Sequence, residues 1–170
     1  MSDLPLASPQ STKHTILVVD DATAVVQLCT AILDQAGFSV LQATDSSEAL
    51  KIVKHHPGPI HLLLTDLLIH PPVSLASGAN EFTYVHGHKL VVHALHLRKD
   101  LRVILMSGSI DQELAGYGIG RGGLPFLRKP FDAQALLALV RETLQAPPLS
   151  IKSLTAGPTG KRLVGNGWFD

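Results

Sequence analysis

Disulfide chemistry is missing from this chain, which has a single cysteine, Cys29, in 170 residues. One cysteine excludes an internal bridge and fits a reducing compartment. Cys29 sits among apolar residues, which reads as a buried structural thiol rather than a reactive one. Long hydrophobic runs are also missing. No stretch reaches the roughly 18 apolar residues that a transmembrane helix needs. The first residues, Met1 to His14, are polar, contain Pro5 and Pro9, and lack the apolar centre of a signal peptide. A cytoplasmic protein is therefore expected. Excess charge is absent too: the formal net charge is 0, which gives no general attraction to nucleic acid or to an anionic membrane.

What the chain does have is apolar content, 45% of its residues, enough for one globular domain with a proper core and short tails. The apolar residues gather in short runs that end in polar chemistry. Ile16-Leu17-Val18-Val19 leads into Asp20-Asp21, and Leu62-Leu63-Leu64-Thr65 into Asp66. Val103-Ile104-Leu105-Met106 leads into Ser107, and Phe126-Leu127-Arg128 into Lys129-Pro130. Such runs fit parallel strands buried on both faces.

Helical periodicity lies between them. Val25, Leu28, Cys29, Ile32, Leu33 and Ala36 share one face of a first helix that Gly37 stops. Phe38–Ala43 reads as a second strand. Asp45-Ser46-Ser47-Glu48 is a capping-box start for a second helix, which His56-Pro57-Gly58-Pro59 ends. A third strand is expected over Ile60–Thr65, and a third helix from about His88, with Leu90, Val91, Ala94, Leu95 and Leu97 on its apolar side. A fourth strand is expected over Arg102–Met106, a short helix over Asp111–Tyr117 before a glycine-rich stretch, and a fifth strand over Phe126–Arg128. Asp132 caps the last helix. The expected layout is a flexible lead over 1–13, a domain over 14–146 with a long insertion over 70–86, and a tail over 147–170. Strands alternating with helices imply a doubly wound parallel α/β sheet. In such sheets, sites form beyond the carboxyl ends of the strands, where Asp20, Asp21, Asp66, Ser107 and Lys129 all fall.

The set Ile16-Leu-Val-Val-Asp-Asp21, Leu64-Thr-Asp66, Val103-Ile-Leu-Met-Ser-Gly108 and Lys129-Pro-Phe131 resembles the receiver domain of two-component response regulators. The resemblance covers about residues 14–146. It implies a five-stranded flavodoxin-like sheet in the order 2-1-3-4-5. It implies that Asp66 takes a phosphoryl group from a phosphohistidine of a histidine kinase or phosphotransfer protein. Asp20, Asp21, Asp66 and the backbone carbonyl of Leu68 would hold Mg²⁺, Asp21 most directly. Lys129 and Ser107 would contact the phosphoryl oxygens, and the Lys129–Pro130 peptide would be cis. Ser107 and Phe126 would form the switch, which signals through the face built by the Asp111–Tyr117 helix, the fifth strand and the last helix. The chemistry is consistent with this: crowded carboxylates repel one another and call for a cation, and an all-oxygen site beside a phosphoryl group favours Mg²⁺. Such a domain catalyses only its own phosphorylation and dephosphorylation. With no DNA-binding domain visible, output by contact with a downstream protein is expected, without direct nucleic acid or membrane binding; a homodimer stays open.

The chain departs from the family after Asp66. Ile69 and His70 stand where Met-Pro is usual, and the glycine that opens the third helix is best matched by Gly87, after the insertion. Leu68 and Ser109 occupy positions that tune dephosphorylation, and an apolar Leu68 cannot orient a hydrolytic water, which points to a longer-lived phosphoryl group. His86, His88, His93 and His96 fit no single metal-ligand template. Two rival readings are a pseudo-receiver, which binds partners without phosphorylation, and a Mg²⁺-dependent hydrolase with an aspartyl nucleophile. The second is disfavoured because Leu68 stands where such enzymes place a second acid.

Overall fold

The computed structural model describes residues 12–69, 87–108 and 124–149. The elements in chain order are β1 (Thr15–Val19), α1 (Thr23–Gln35), β2 (Ser39–Ala43), α2 (Ser46–His55), β3 (Leu62–Asp66), α3 (Gly87–Leu97), β4 (Arg102–Ser107), β5 (Phe126–Arg128) and α4 (Ala133–Gln145). The five strands form one parallel sheet in the order β2-β1-β3-β4-β5. The insertion over 70–86, the short helix expected over Asp111–Tyr117, and the tail beyond 149 lie outside the described residues.

Both faces of the sheet are covered, which is why its central strands carry unbroken apolar runs. Alternate residues serve opposite layers. Leu17, Val19, Leu63, Val103 and Leu105 pack with Leu50 and Val53 of α2 and with Leu90 and Leu95 of α3. Ile16, Val18, Leu62, Leu64, Ile104 and Met106 pack with Val26, Cys29 and Leu33 of α1 and with Leu136 and Val140 of α4. A fully buried aliphatic side chain of this size contributes about 1.5–3 kcal/mol, so the two layers supply most of the driving force for folding.

Local signals set the helix ends. Asp45 caps α2 by accepting from the Glu48 N–H at 2.8 Å. The Glu48 carboxylate reaches back one residue further than a standard capping box, to the Thr44 N–H at 3.0 Å. Asp132 caps α4 in the same way, accepting from Ala135 N–H at 2.7 Å. Gly37, at φ +93°, turns the chain out of α1 in a conformation that other residues rarely adopt. Arg98, just past α3, donates from Nε to Val53 O (2.7 Å), from Nη2 to His56 O (2.6 Å) and from Nη1 to Gly58 O (2.8 Å). It thereby satisfies the end of α2 and the turn that follows it.

Several expected boundaries shift. β3 begins at Leu62 rather than Ile60 and includes Asp66, because the ladder to β4 runs on to the Asp66–Met106 pair. β4 likewise includes Ser107, which pairs with Arg128. Leu28 and Leu97, expected on apolar helix faces, are 50% and 49% exposed. On α1 the buried stripe is Val26, Cys29 and Leu33 instead. Leu28 is spaced with Val25 and Ile32, which are only partly buried, so it falls at the margin of that stripe.

Candidate functional site

Register brings the acids together. Val19, the last residue of β1, pairs with Thr65, so Asp20 emerges beside Asp66 at the end of the neighbouring strand. Oxygens of Asp20, Asp21 and Asp66 lie within 4.8 Å of one another. Across β4 and β5, Ser107 pairs with Arg128, and Ser107 O accepts from the Lys129 N–H at 3.0 Å. That pairing places Lys129 at the same sheet edge. The Lys129–Pro130 peptide is cis.

The four charged groups have unequal surroundings. Asp20 is fully buried and Asp21 exposed. One Asp20 oxygen accepts from the Ala22 N–H at 2.9 Å, which ties the turn into α1; the other takes the Lys129 ammonium at 2.5 Å. Lys129 Nζ lies 3.5 Å from Asp66 Oδ1, so it bridges two acids with its stem partly covered. Burial pushes the Asp66 carboxyl up to about 6; Lys129 pulls it down, Asp20 and Asp21 push it further up, and the Leu68 N–H bonded to the carboxylate lowers it. Ser107 is buried at the end of β4. Phe126 is half-buried against the layer shared with α2 and α3. Cys29 is buried near this edge, and its thiol is raised to about 11 by burial and then by Asp20, so it stays protonated.

The donor set fits a hard divalent cation. Three carboxylate ligands with one exposed member leave room for retained water, as Mg²⁺ requires. Three acids against one lysine also leave uncompensated negative charge that such a cation would neutralise.

His93 and His96 are exposed on α3 and join no metal-ligating cluster among the described residues. His86, Ser109 and the side chain of His88 lie outside what is described. Sequence reasoning missed three features near the site. The first is a shallow cleft of about 330 Å³ lined by Val25, Leu28, Lys129, Pro130 and Phe131; the even spacing of Val25 and Leu28 with core residues hid it. The second is a hydrogen bond from the Thr65 hydroxyl to Asp66 O at 3.1 Å, which no local pattern signals. The third is the contact of Gly87 with the Asp66–Leu67 peptide.

A doubly wound parallel sheet with three carboxylates and a lysine at the carboxyl ends of its strands defines a class of phosphoryl-handling α/β proteins. The chain matches the family model for the response regulator receiver domain over residues 16–141, and it belongs to that family. It is thus a receiver domain of two-component signalling, with a phosphoacceptor role. It is 27% identical over 133 residues to the nitrogen assimilation regulatory protein NtrX of Azorhizobium caulinodans, covering 78% of this chain and 26% of NtrX. The chain spans about a quarter of the length of the first curated relatives it matches. Among solved structures it resembles the receiver domain of the hybrid histidine kinase CckA. That likeness has 30% identity and a TM-score of 0.58, and covers 77% of this chain and 99% of the other. A CheY-like receiver domain from Methanospirillum hungatei shares the fold at 24% identity and a TM-score of 0.61, over 78% of this chain and 94% of that one.

Proposed function

We propose that Asp66 is the phosphoacceptor, that Asp20, Asp21, Asp66 and the Leu68 carbonyl hold Mg²⁺, and that Lys129 and Ser107 bind the phosphoryl oxygens. The observation that carries this reading is the convergence of the three carboxylates and Lys129 around Asp66. The domain promotes only its own phosphorylation and dephosphorylation. In the forward step an Asp66 oxygen attacks the phosphorus of a phosphohistidine. The P–N bond breaks, and the imidazole leaves with the electron pair and takes up a proton. A carboxyl that titrates near 6 is mostly ionised at neutral pH, as a nucleophile must be.

The bound cation would neutralise charge as the phosphoryl group approaches. Lys129 moves with the incoming charge: its ammonium already spans Asp20 and Asp66, and a short swing turns it from the acids to the phosphoryl oxygens. Ser107, buried at the adjacent strand end, supplies a hydroxyl to the same oxygens. Its inward pull, followed by Phe126, is the switch, and phosphorylation shifts an equilibrium that already exists. The donor is a histidine kinase or phosphotransfer protein, and the likeness to the CckA receiver supports a phosphorelay setting. Output is by protein contact in the cytoplasm. Among the described residues no helix is long and apolar enough to cross a membrane.

The test is intact mass after incubation with Mg²⁺ and acetyl phosphate. One phosphoryl adduct is expected in the parent chain and none in Asp66→Asn or in EDTA. An unmodified parent under every small donor, and after exposure to phosphorylated kinases, would sink the reading in favour of a phosphorylation-independent module.

A further inference from the structure

Gly87 opens α3 far along the chain from Asp66, yet the two meet in space. Its N–H donates to Leu67 O at 3.2 Å. A Cβ at this position would lie 1.9 Å from Asp66 O, 2.9 Å from Asp66 C and 3.2 Å from Leu67 Cα. All three are backbone atoms, so none can swing aside as the end of a side chain would. The requirement is one of space rather than of a special backbone angle.

The peptide that Gly87 touches is held on its other sides as well. Leu67 N–H donates to Met106 O at 2.8 Å, and the Thr65 hydroxyl donates to Asp66 O at 3.1 Å. Past it, the Leu68 N–H bonds back to the Asp66 carboxylate. A shift of the 66–67 peptide therefore moves the acid and a backbone donor that steadies it. We propose that Gly87 is a positioning residue for Asp66: its missing side chain lets the first turn of α3 close over the Asp66–Leu67 peptide and fix the carboxylate against Asp20, Asp21 and Lys129. α3 thus acts as a backstop for the phosphorylation site. The inference rests on Asp66 being the phosphoacceptor, but its first readout does not.

The experiment compares the full chain with Gly87→Ala and Leu95→Ala. Leu95 is buried on the same helix, about 12 Å along its axis from Gly87, so its variant reports general loosening of α3. Mg²⁺ alone is titrated by calorimetry, at a temperature where circular dichroism shows each variant folded. The rate of adduct formation with acetyl phosphate is then followed by intact mass. For Gly87→Ala the expected results are a Mg²⁺ Kd raised about tenfold or more and a rate lowered on the order of 100-fold, the scale of an ångström of misplacement. Leu95→Ala should stay within about twofold of the parent. Parent-like values in Gly87→Ala, or equal losses in both variants, overturn the proposal. Thr65→Val covers the case in which Gly87→Ala does not fold. It frees the same carbonyl oxygen without a clash, and a Mg²⁺ Kd raised about threefold supports the role of that peptide, whereas an unchanged Kd overturns it. If the parent takes no phosphoryl group, the phosphoacceptor reading fails, and the Mg²⁺ comparison still decides the role of Gly87.

Discussion

At Asp66, burial and two neighbouring carboxylates outweigh the pull of Lys129, which leaves the acid titrating near 6 without a cation. Its folded value lies above its unfolded value of 3.8, so the folded protein holds that proton more tightly. The associated stability is full below about pH 4 and is lost as pH rises through about 6. Asp66→Asn removes this cost. In EDTA at pH 7 the variant should be roughly 2 kcal/mol more stable than the parent in urea unfolding, and the gap should close by pH 4. An Asn variant that unfolds at the same urea concentration as the parent at both pH values would show that the site is not strained by charge. Lys129 sets the opposite balance. It is the ammonium on the fully buried Asp20, and removing it leaves that carboxylate without its cation. Lys129→Met should cost about 3 kcal/mol in the same assay, more than any exposed lysine to which the structure gives no ion pair.

The elements show where pattern reading succeeds and where it stops. Strand ends were legible to within a residue because each apolar run is buried on both faces and gives way to a charged or hydroxylic residue; Val19 to Asp20 and Met106 to Ser107 are cases, although both polar residues stay buried. The caps at Asp45 and Asp132 were legible because the bonds they make are local. The lean of a helix against the sheet was not. On α1, Leu33 is fully buried and Leu28 half-exposed, although spacing puts both in one stripe. Leu33→Ala should cost about 2–5 kcal/mol, whereas Leu28→Ser should stay within about 0.5 kcal/mol. Equal losses in thermal unfolding would restore the spacing-based face. Arg98 was equally invisible, because its three carbonyl partners lie some forty residues earlier in the chain. Arg98→Ala should destabilise by about 2 kcal/mol, with amide exchange quickening first at the end of α2. Exchange rates there that match the parent would mean the arginine decorates the turn rather than holding it.

Across the whole molecule, the site is a product of topology. No segment of this chain carries it alone: β1, β3 and the exit of β5 each deliver one part, and parallel register aligns their ends. That arrangement concentrates negative charge at one edge of a chain whose formal net charge is 0. Folding therefore works against repulsion there, and a cation bound at that edge should feed back on global stability. A ligand that binds only the folded state adds about 2.7 kcal/mol at a hundred times its Kd. Mg²⁺ should thus raise the Tm in proportion to the logarithm of its concentration above Kd, while NaCl at matched ionic strength, which only screens, should do much less. Asp21 provides the sharper probe because it is the exposed member of the three. Asp21→Asn should change the cation-free Tm little and relieve some repulsion, yet flatten the Mg²⁺ dependence. If Asp21→Asn instead keeps the parent's Mg²⁺ slope, the cation is held elsewhere and the acidic edge is only a charge cost of the fold.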